Sequence, residues 1–196
     1  MSVDLEVTPP AELPTRFGRF RILAFRAPGG EELVAIVKGD PSGEAVLARV
    51  HSSCLTGDVL GSHRCDCGAQ LAKALQAIER EGRGVVLYLN QEGRGIGLFS
   101  KVHAYALQDR GANTVEANER LGYAADARDY ANAAAALRKL GVASVRLMTN
   151  NPGKVRALEH AGVPVVERVP HVAGVNDINR GYLATKRDLL GHLLST

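Results

Sequence analysis

At 196 residues, 45% of them hydrophobic and 23% charged, the chain is long enough to bury a core and too apolar to be a disordered polypeptide. Its 24 Lys and Arg against 21 Asp and Glu leave a formal charge of +3, too mild for a nucleic-acid surface but suited to a small anionic ligand, and five Tyr with four Phe are few for base stacking. The longest apolar runs, such as Val85–Leu89, reach five residues against the roughly 18 needed to span a bilayer, and Met1-Ser-Val-Asp-Leu-Glu has no apolar signal region, so a cytoplasmic protein with no membrane and no nucleic-acid partner is expected.

Residues 1–16 hold three prolines and little periodicity and read as an irregular N-terminal segment. Leu33–Lys38 and Val46–His51 are short β-rich runs, and the intervening Gly39-Asp-Pro-Ser-Gly reads as hairpin chemistry. From Gly68 the pattern turns helical, with Leu71, Ala74, Leu75 and Ile78 on one face and Gly82 as the stop. Val85–Leu89 reads as a strand buried on both faces. A helix follows from about Leu98 to Gln108, another from near Ala127 to Leu140, and Val145–Met148 is a strand. Asn151-Pro152 opens a helix with a capping residue and proline at its first position. Val163–Val169 is a strand and Gly181–Leu194 a closing helix. The fold class is therefore α/β: one domain over 1–196 with a mixed sheet, antiparallel N-terminal strands preceding alternating strands and helices.

The chemistry starts with three cysteines, Cys54, Cys65 and Cys67, in the spacing C-x10-C-x-C. Three thiolates without a fourth match a catalytic zinc, which keeps one position for water. A closed site completed by His51 or His63 is the alternative, and spacing leaves both open. Two loops at strand ends suit a ligand. In Gln91-Glu-Gly-Arg-Gly-Ile-Gly, glycines permit close backbone approach, Arg94 offers a planar donor fork, and Glu92 can accept from a guanine edge. A dinucleotide fingerprint fails there, because the third glycine comes one residue early. In Thr149-Asn-Asn-Pro-Gly-Lys154, a helix N-terminus and a lysine favour an anion, with a plain cap and a solvated lysine as the alternative. Taken alone, Asp126 reads as a helix cap, and Tyr105, on the helical face of Leu98 and Val102, as a core tyrosine.

Together the stretches Arg49-Val-His-Ser, Cys54-Leu-Thr-Gly-Asp, Arg64-Cys-Asp-Cys-Gly-Ala-Gln70, Gln91-Glu-Gly-Arg, Ala104-Tyr-Ala-Leu-Gln-Asp, Thr114-Val-Glu-Ala-Asn, Thr149-Asn-Asn-Pro and Gly191-His-Leu-Leu resemble GTP cyclohydrolase II, the enzyme of the first committed step of riboflavin synthesis. The similarity runs in register from about residue 12 to the C-terminus. It implies a homodimer that binds one zinc per subunit at Cys54, Cys65 and Cys67, with the metal's water attacking carbon 8 of guanine. The ring opens, formate leaves, and magnesium-assisted cleavage between the α- and β-phosphates releases pyrophosphate. The product implied is 2,5-diamino-6-(5-phosphoribosylamino)pyrimidin-4(3H)-one.

By the same resemblance GTP contacts fall on Arg49, Val50, His51, Ser52, Ser53, Gln70, Glu92, Gly93, Arg94, Thr114, Thr149 and Lys154. The catalytic group is Asp126 as proton acceptor, Arg128 at the α-phosphate, and Tyr105 at the formyl intermediate. A guanidinium keeps its charge past pH 12, so stabilising transition-state charge is an alternative to nucleophilic attack by Arg128. Two positions depart from the family's usual pattern: Ser53 stands where glutamate is usual, and Asn90 where arginine is common. Two other readings follow: a diverged relative that leaves the formyl group in place, and a zinc-stabilised nucleotide-binding module without turnover.

Overall fold

The computed structural model describes residues 3–124, 126 and 128–194. The chain forms two compact units. One comprises Met1–His51, Leu71–Asn90 and Asp129–His171; the other comprises Ser52–Gln70, Gln91–Arg128 and Val172–Thr196.

The first unit holds the sheet. Among the described residues eight strands form it: β1 Glu6–Val7, β2 Ala11–Thr15, β3 Gly18–Arg26, β4 Glu32–Lys38, β5 Val46–Ser52, β6 Gly84–Leu89, β7 Val145–Met148 and β8 Val165–Val169. Their order is β1-β3-β4-β6-β5-β7-β8, with β2 paired to β3. Pairing is antiparallel from β1 through β4 to β6 and parallel along β5, β7 and β8. This is the mixed α/β architecture expected.

Period-two alternation explains why β6 reads as an unbroken apolar run. Val85, Leu87 and Leu89 enter a core with Phe25, Ala35, Leu137 and Leu158. Val86 enters a second cluster with Phe20, Leu47 and Met148. The first core is covered by α4 (Ala131–Lys139) and α5 (Pro152–His160), the second by α1 (Cys67–Glu81), whose Ala74, Leu75 and Ile78 point inward as their spacing predicts.

Several expectations are corrected. Residues 1–16 are not irregular, since β1 and β2 lie there. β2 contains Pro14 and pairs with β3 alone, and an edge strand tolerates a residue that has no N–H to donate. β4 and β5 form no hairpin, because β6 lies between them. A strand apolar on both faces gains most from an interior position, and it displaces the local pairing. β3 had no counterpart in the apolar pattern, because its arginines interrupt the run around Phe20 and Phe25. The helix expected from near Ala127, a residue outside those described, starts instead at Ala131, where the Asp129 carboxylate accepts from the Ala131 N–H. The closing helix α6 is Arg180–Asp188 and stops well before Leu194; Gly191 then adopts a left-handed φ of 64°.

The second unit contains a π-helical turn at Leu55–Val59, a tight 3-10 turn at Glu92–Gly95, α2 (Gly97–Gln108), α3 (Thr114–Arg120) and α6. Its apolar cluster is small: Ala104, Ala112 and Ala117, with Leu107 and Leu121 against them. α3 is absent from the periodicity reading, although Asn113 and Glu116 form a reciprocal capping box at its start. That spacing was its signal.

Candidate active site

The second unit brings the three sulfurs together, with all their Sγ atoms within 4.8 Å of one another. The π-helical turn begins at Cys54, whose backbone N–H donates to the Asp58 carboxylate at 3.0 Å. Cys65 and Cys67 come from the loop into α1 and its first residue. A Cβ at Gly57 would lie 2.7 Å from Cys65 Sγ and 3.3 Å from Cys54 Sγ, so glycine is required by close approach. Among the described residues no histidine or carboxylate joins the sulfurs, and His63 is exposed. Among the described residues the closed Cys3His arrangement does not form.

Crowding makes the thiols unequal. Hydrogen bonds from the Cys65 and Cys67 thiols, reinforced by the Lys101 charge, hold Cys54 far below the ordinary thiol range, as a thiolate. Donation to Cys54 pushes Cys65 up to about 11, and the same neighbours raise Cys67 well above its usual value. A divalent soft metal is the species that would let three crowded thiolates coexist. The donor set fits zinc.

Around the sulfurs lies a polar shell. Lys101, on α2, is 8% exposed, and donates from Nζ to Cys54 Sγ at 3.1 Å and to Glu92 Oε1 at 2.6 Å. Burial opposes its charge, yet Glu92 and the Cys54 thiolate raise its pKa above the ordinary lysine value. Thr56 Oγ1 lies 3.5 Å from Cys54 Sγ and 3.2 Å from the Tyr105 hydroxyl. Tyr105 is half-buried and its phenol is pushed up by burial. Leu98 and Val102 are 40% and 52% exposed, so their face is not the core, and the core-tyrosine reading is corrected. Asp66, between two cysteines, is buried; it accepts from Lys186 at 2.6 Å and from Gln70 at 2.5 Å.

Asp126 caps none of the described helices; ahead of α4 it is the Asp129 carboxylate that accepts from the Ala131 N–H. The Asp126 carboxylate accepts from the Arg128 backbone N–H at 3.1 Å, from Nε at 2.8 Å and from the guanidinium's far nitrogen in a two-pronged pair. Burial would raise Asp126, but Arg128, with a contribution from Arg94, outweighs it and holds the carboxyl below its usual range. Gly93 and Arg94 both adopt left-handed φ, 61° and 63°. For arginine that costs about 1 kcal/mol, strain of the kind that concentrates at functional sites. One guanidinium nitrogen of Arg94 and the hydroxyl of Ser53 are buried without a hydrogen-bond partner. Ser52 Oγ lies 3.3 Å from Gln91. Thr114 opens α3 and lines a cavity of about 470 Å³ with Arg64, Asp109, Asn113 and Tyr182.

The remaining predicted contacts are in the sheet unit and largely spend their polar groups on the backbone. Arg49 donates to the Met148 carbonyl at 2.8 Å, and Lys154 to the Val50 carbonyl at 2.7 Å. Lys154 is buried, correcting the solvated alternative. His51 stacks on Tyr88 with ring centroids 5.4 Å apart. Thr149 Oγ1 accepts from Asn151 N, and Asn151 caps α5 through Gly153 N.

The profile of the family described as GTP cyclohydrolase II matches residues 6–170. The chain belongs to the GTP cyclohydrolase II family. It is therefore a hydrolase. It is 60% identical over 186 residues, 94% of this chain and 91% of the relative, to a protein named GTP cyclohydrolase-2 from Pseudomonas putida. One from Pseudomonas entomophila matches at the same identity and coverage, and one from Hahella chejuensis is 58% identical over 94% of this chain and 90% of that protein. A solved two-domain 3,4-dihydroxy-2-butanone 4-phosphate synthase from A. baumannii shares 21% identity with a TM-score of 0.44, over 74% of this chain and 34% of that one.

Sequence reasoning missed Lys101, Asp66 and Lys186. Only Asp66 carried a local signal, its place between two cysteines; the lysines reach the site through helix packing.

Proposed function

We propose that this family member hydrolyses GTP by opening the guanine imidazole at carbon 8, with release of formate and pyrophosphate to give 2,5-diamino-6-(5-phosphoribosylamino)pyrimidin-4(3H)-one for riboflavin synthesis. The observation that carries the reading is a three-sulfur cluster with no fourth protein donor among the described residues. Zinc held by Cys54, Cys65 and Cys67 would supply a Lewis acid that brings a water's pKa to about 7. The chain's own residues divide the remaining work. The phenol of Tyr105, kept protonated by burial, is a donor for the formyl stage. Arg128 is tied in a fork to an ionised Asp126, so it acts as a fixed cation for phosphoryl charge, and this geometry favours stabilisation over nucleophilic attack.

GTP contacts are proposed for Arg49, Val50, His51, Ser52, Ser53, Gln70, Glu92, Gly93, Arg94, Thr114, Thr149 and Lys154, with Mg2+ on the phosphates. The unpartnered buried nitrogen of Arg94 supports an anion there, because a buried donor without a partner costs about 1–3 kcal/mol. The whole of 1–196 is proposed to work as one catalytic domain, in the cytoplasm. No helix among the described residues is long and apolar enough to cross a membrane. A homodimer is proposed as well, supported by Leu98, Phe99 and Val102 on α2, of which Phe99 is 77% exposed; light scattering behind size exclusion tests it.

Mass spectrometry of products from zinc-loaded protein with GTP and magnesium tests the reaction. Formate, pyrophosphate and the diaminopyrimidinone are expected; unchanged GTP with bound zinc would promote the non-catalytic module. A product heavier by one CO would identify the formyl-retaining variant. The buried Ser53 hydroxyl without a partner, in place of the family's usual carboxylate, is the observation that favours that variant.

A further inference from the structure

Lys101 lies outside every motif that carries the family resemblance, yet it closes a brace around one sulfur ligand. Its Nζ donates to Cys54 Sγ at 3.1 Å and to Glu92 Oε1 at 2.6 Å. Oε1 also accepts from the Gly93 N–H at 2.8 Å, and Oε2 accepts from the N–H of Leu55, the residue after Cys54, at 2.6 Å. The path runs from the Cys54 sulfur through the ammonium and the carboxylate back to the Leu55 N–H, one peptide link from Cys54. Both side chains are nearly buried, 10% and 13% exposed for Lys101 and Glu92, so each charge depends on the other. Both Glu92 oxygens are engaged within the protein, which gives this residue a structural task besides any guanine contact.

We propose that Lys101 is a positioning residue that makes the Cys54 sulfur and the 92–95 turn one rigid piece, so that metal held by the sulfurs and nucleotide held by the turn strengthen each other. Two physical effects follow. A cationic donor on a thiolate withdraws electron density, so the metal bound by that sulfur is more electrophilic. The turn, with its two left-handed residues, is held in its strained form by a bond to the same ammonium. Coupling of this kind is reciprocal: nucleotide must tighten metal by the factor by which metal tightens nucleotide. The inference rests on the reading of Cys54, Cys65 and Cys67 as a metal site.

The test uses cobalt-substituted full-length protein and zinc affinity measured by chelator competition, with and without a non-hydrolysable GTP analogue. In the unaltered protein a cobalt–thiolate charge-transfer band is expected, and nucleotide should tighten zinc about fivefold or more. In Lys101→Met the band should move to lower energy, because the sulfur regains electron density; loss of the brace that positions Cys54 should outweigh that gain and weaken zinc roughly 10- to 100-fold, and the nucleotide effect should vanish. Lys101→Arg, which keeps a donor, should restore part of each. An unshifted band with coupling retained in Lys101→Met overturns the inference alone. No cobalt–thiolate band in the unaltered protein overturns the metal reading and this inference with it. Should Lys101→Met not fold, Lys101→Gln removes the charge while keeping a polar side chain: loss of coupling supports the proposal, and retained coupling overturns it.

Discussion

The sheet unit and the cysteine unit are held together in different proportions by apolar packing and by charge. In the sheet unit, Arg49, Thr149 and Lys154 close bonds to nearby backbone and sit beside an extensive apolar core. In the cysteine unit the apolar cluster is three alanines with two leucines against them, and charge does much of the holding: Lys101 with Glu92, Lys186 with Asp66, Arg128 with Asp126. That unit also holds three crowded sulfurs and, buried without a hydrogen-bond partner, one guanidinium nitrogen of Arg94 and the Ser53 hydroxyl. Polar groups satisfied internally build scaffold, whereas those left costly without a ligand mark where the ligand belongs.

Substitutions should separate the two units. The largest effect is expected for Cys65→Ser, which removes a sulfur without touching the sheet. Losing several kcal/mol of Lewis-acid stabilisation corresponds to roughly 10³-fold or more in turnover, seen as lost formate release and lost zinc, while melting of the sheet unit followed by circular dichroism changes little. Arg128→Lys keeps the charge and loses the fork; a drop of about 10²-fold in pyrophosphate release is expected, with zinc content unchanged. Zinc loss in that variant would break the assignment of Arg128 to the phosphates.

Lys154→Met should reverse the pattern. It strips the buried Val50 carbonyl of its donor, at about 1–3 kcal/mol, and for a chain of this length each kcal/mol lowers Tm by about 2–4 °C. Metal affinity should hold. Gly57→Ala pushes a methyl against Cys65 and should weaken zinc, measured by chelator competition, with a smaller effect on Tm.

The smallest effect is pH-dependent. Asp126 has a folded pKa below its unfolded value, so its ion pair contributes stability that is fully present above the unfolded carboxylate value of about 3.9 and lost as pH falls through the lower folded value. The Tm difference between the unaltered protein and Asp126→Asn should hold from neutrality to about pH 4 and shrink on further acidification. A difference that grows on acidification would overturn the ion-pair account.

Much of the scaffold was written in local pattern. The face of α1 follows from four spaced apolar residues, β6 from a run buried on both sides, and α5 from an Asn cap followed by proline. Pairing was not local: β6 lies between two strands that read as a hairpin, and arginines hid β3. The sulfurs were legible because cysteine is scarce and its spacing carries meaning. Lys101 was not, for a buried lysine and a solvated one look alike in a helical sequence.

By itself the sequence determined the α/β class, the three-cysteine cluster and the family, since each depends on residue type and short spacing. Only the tertiary structure decided that no histidine among the described residues completes the cluster, that Asp126 grips Arg128 rather than capping a helix, and that Lys101 ties a sulfur to Glu92. Those outcomes depend on which distant segments meet and on what each buried charge finds there, and neither is encoded in any window of neighbouring residues.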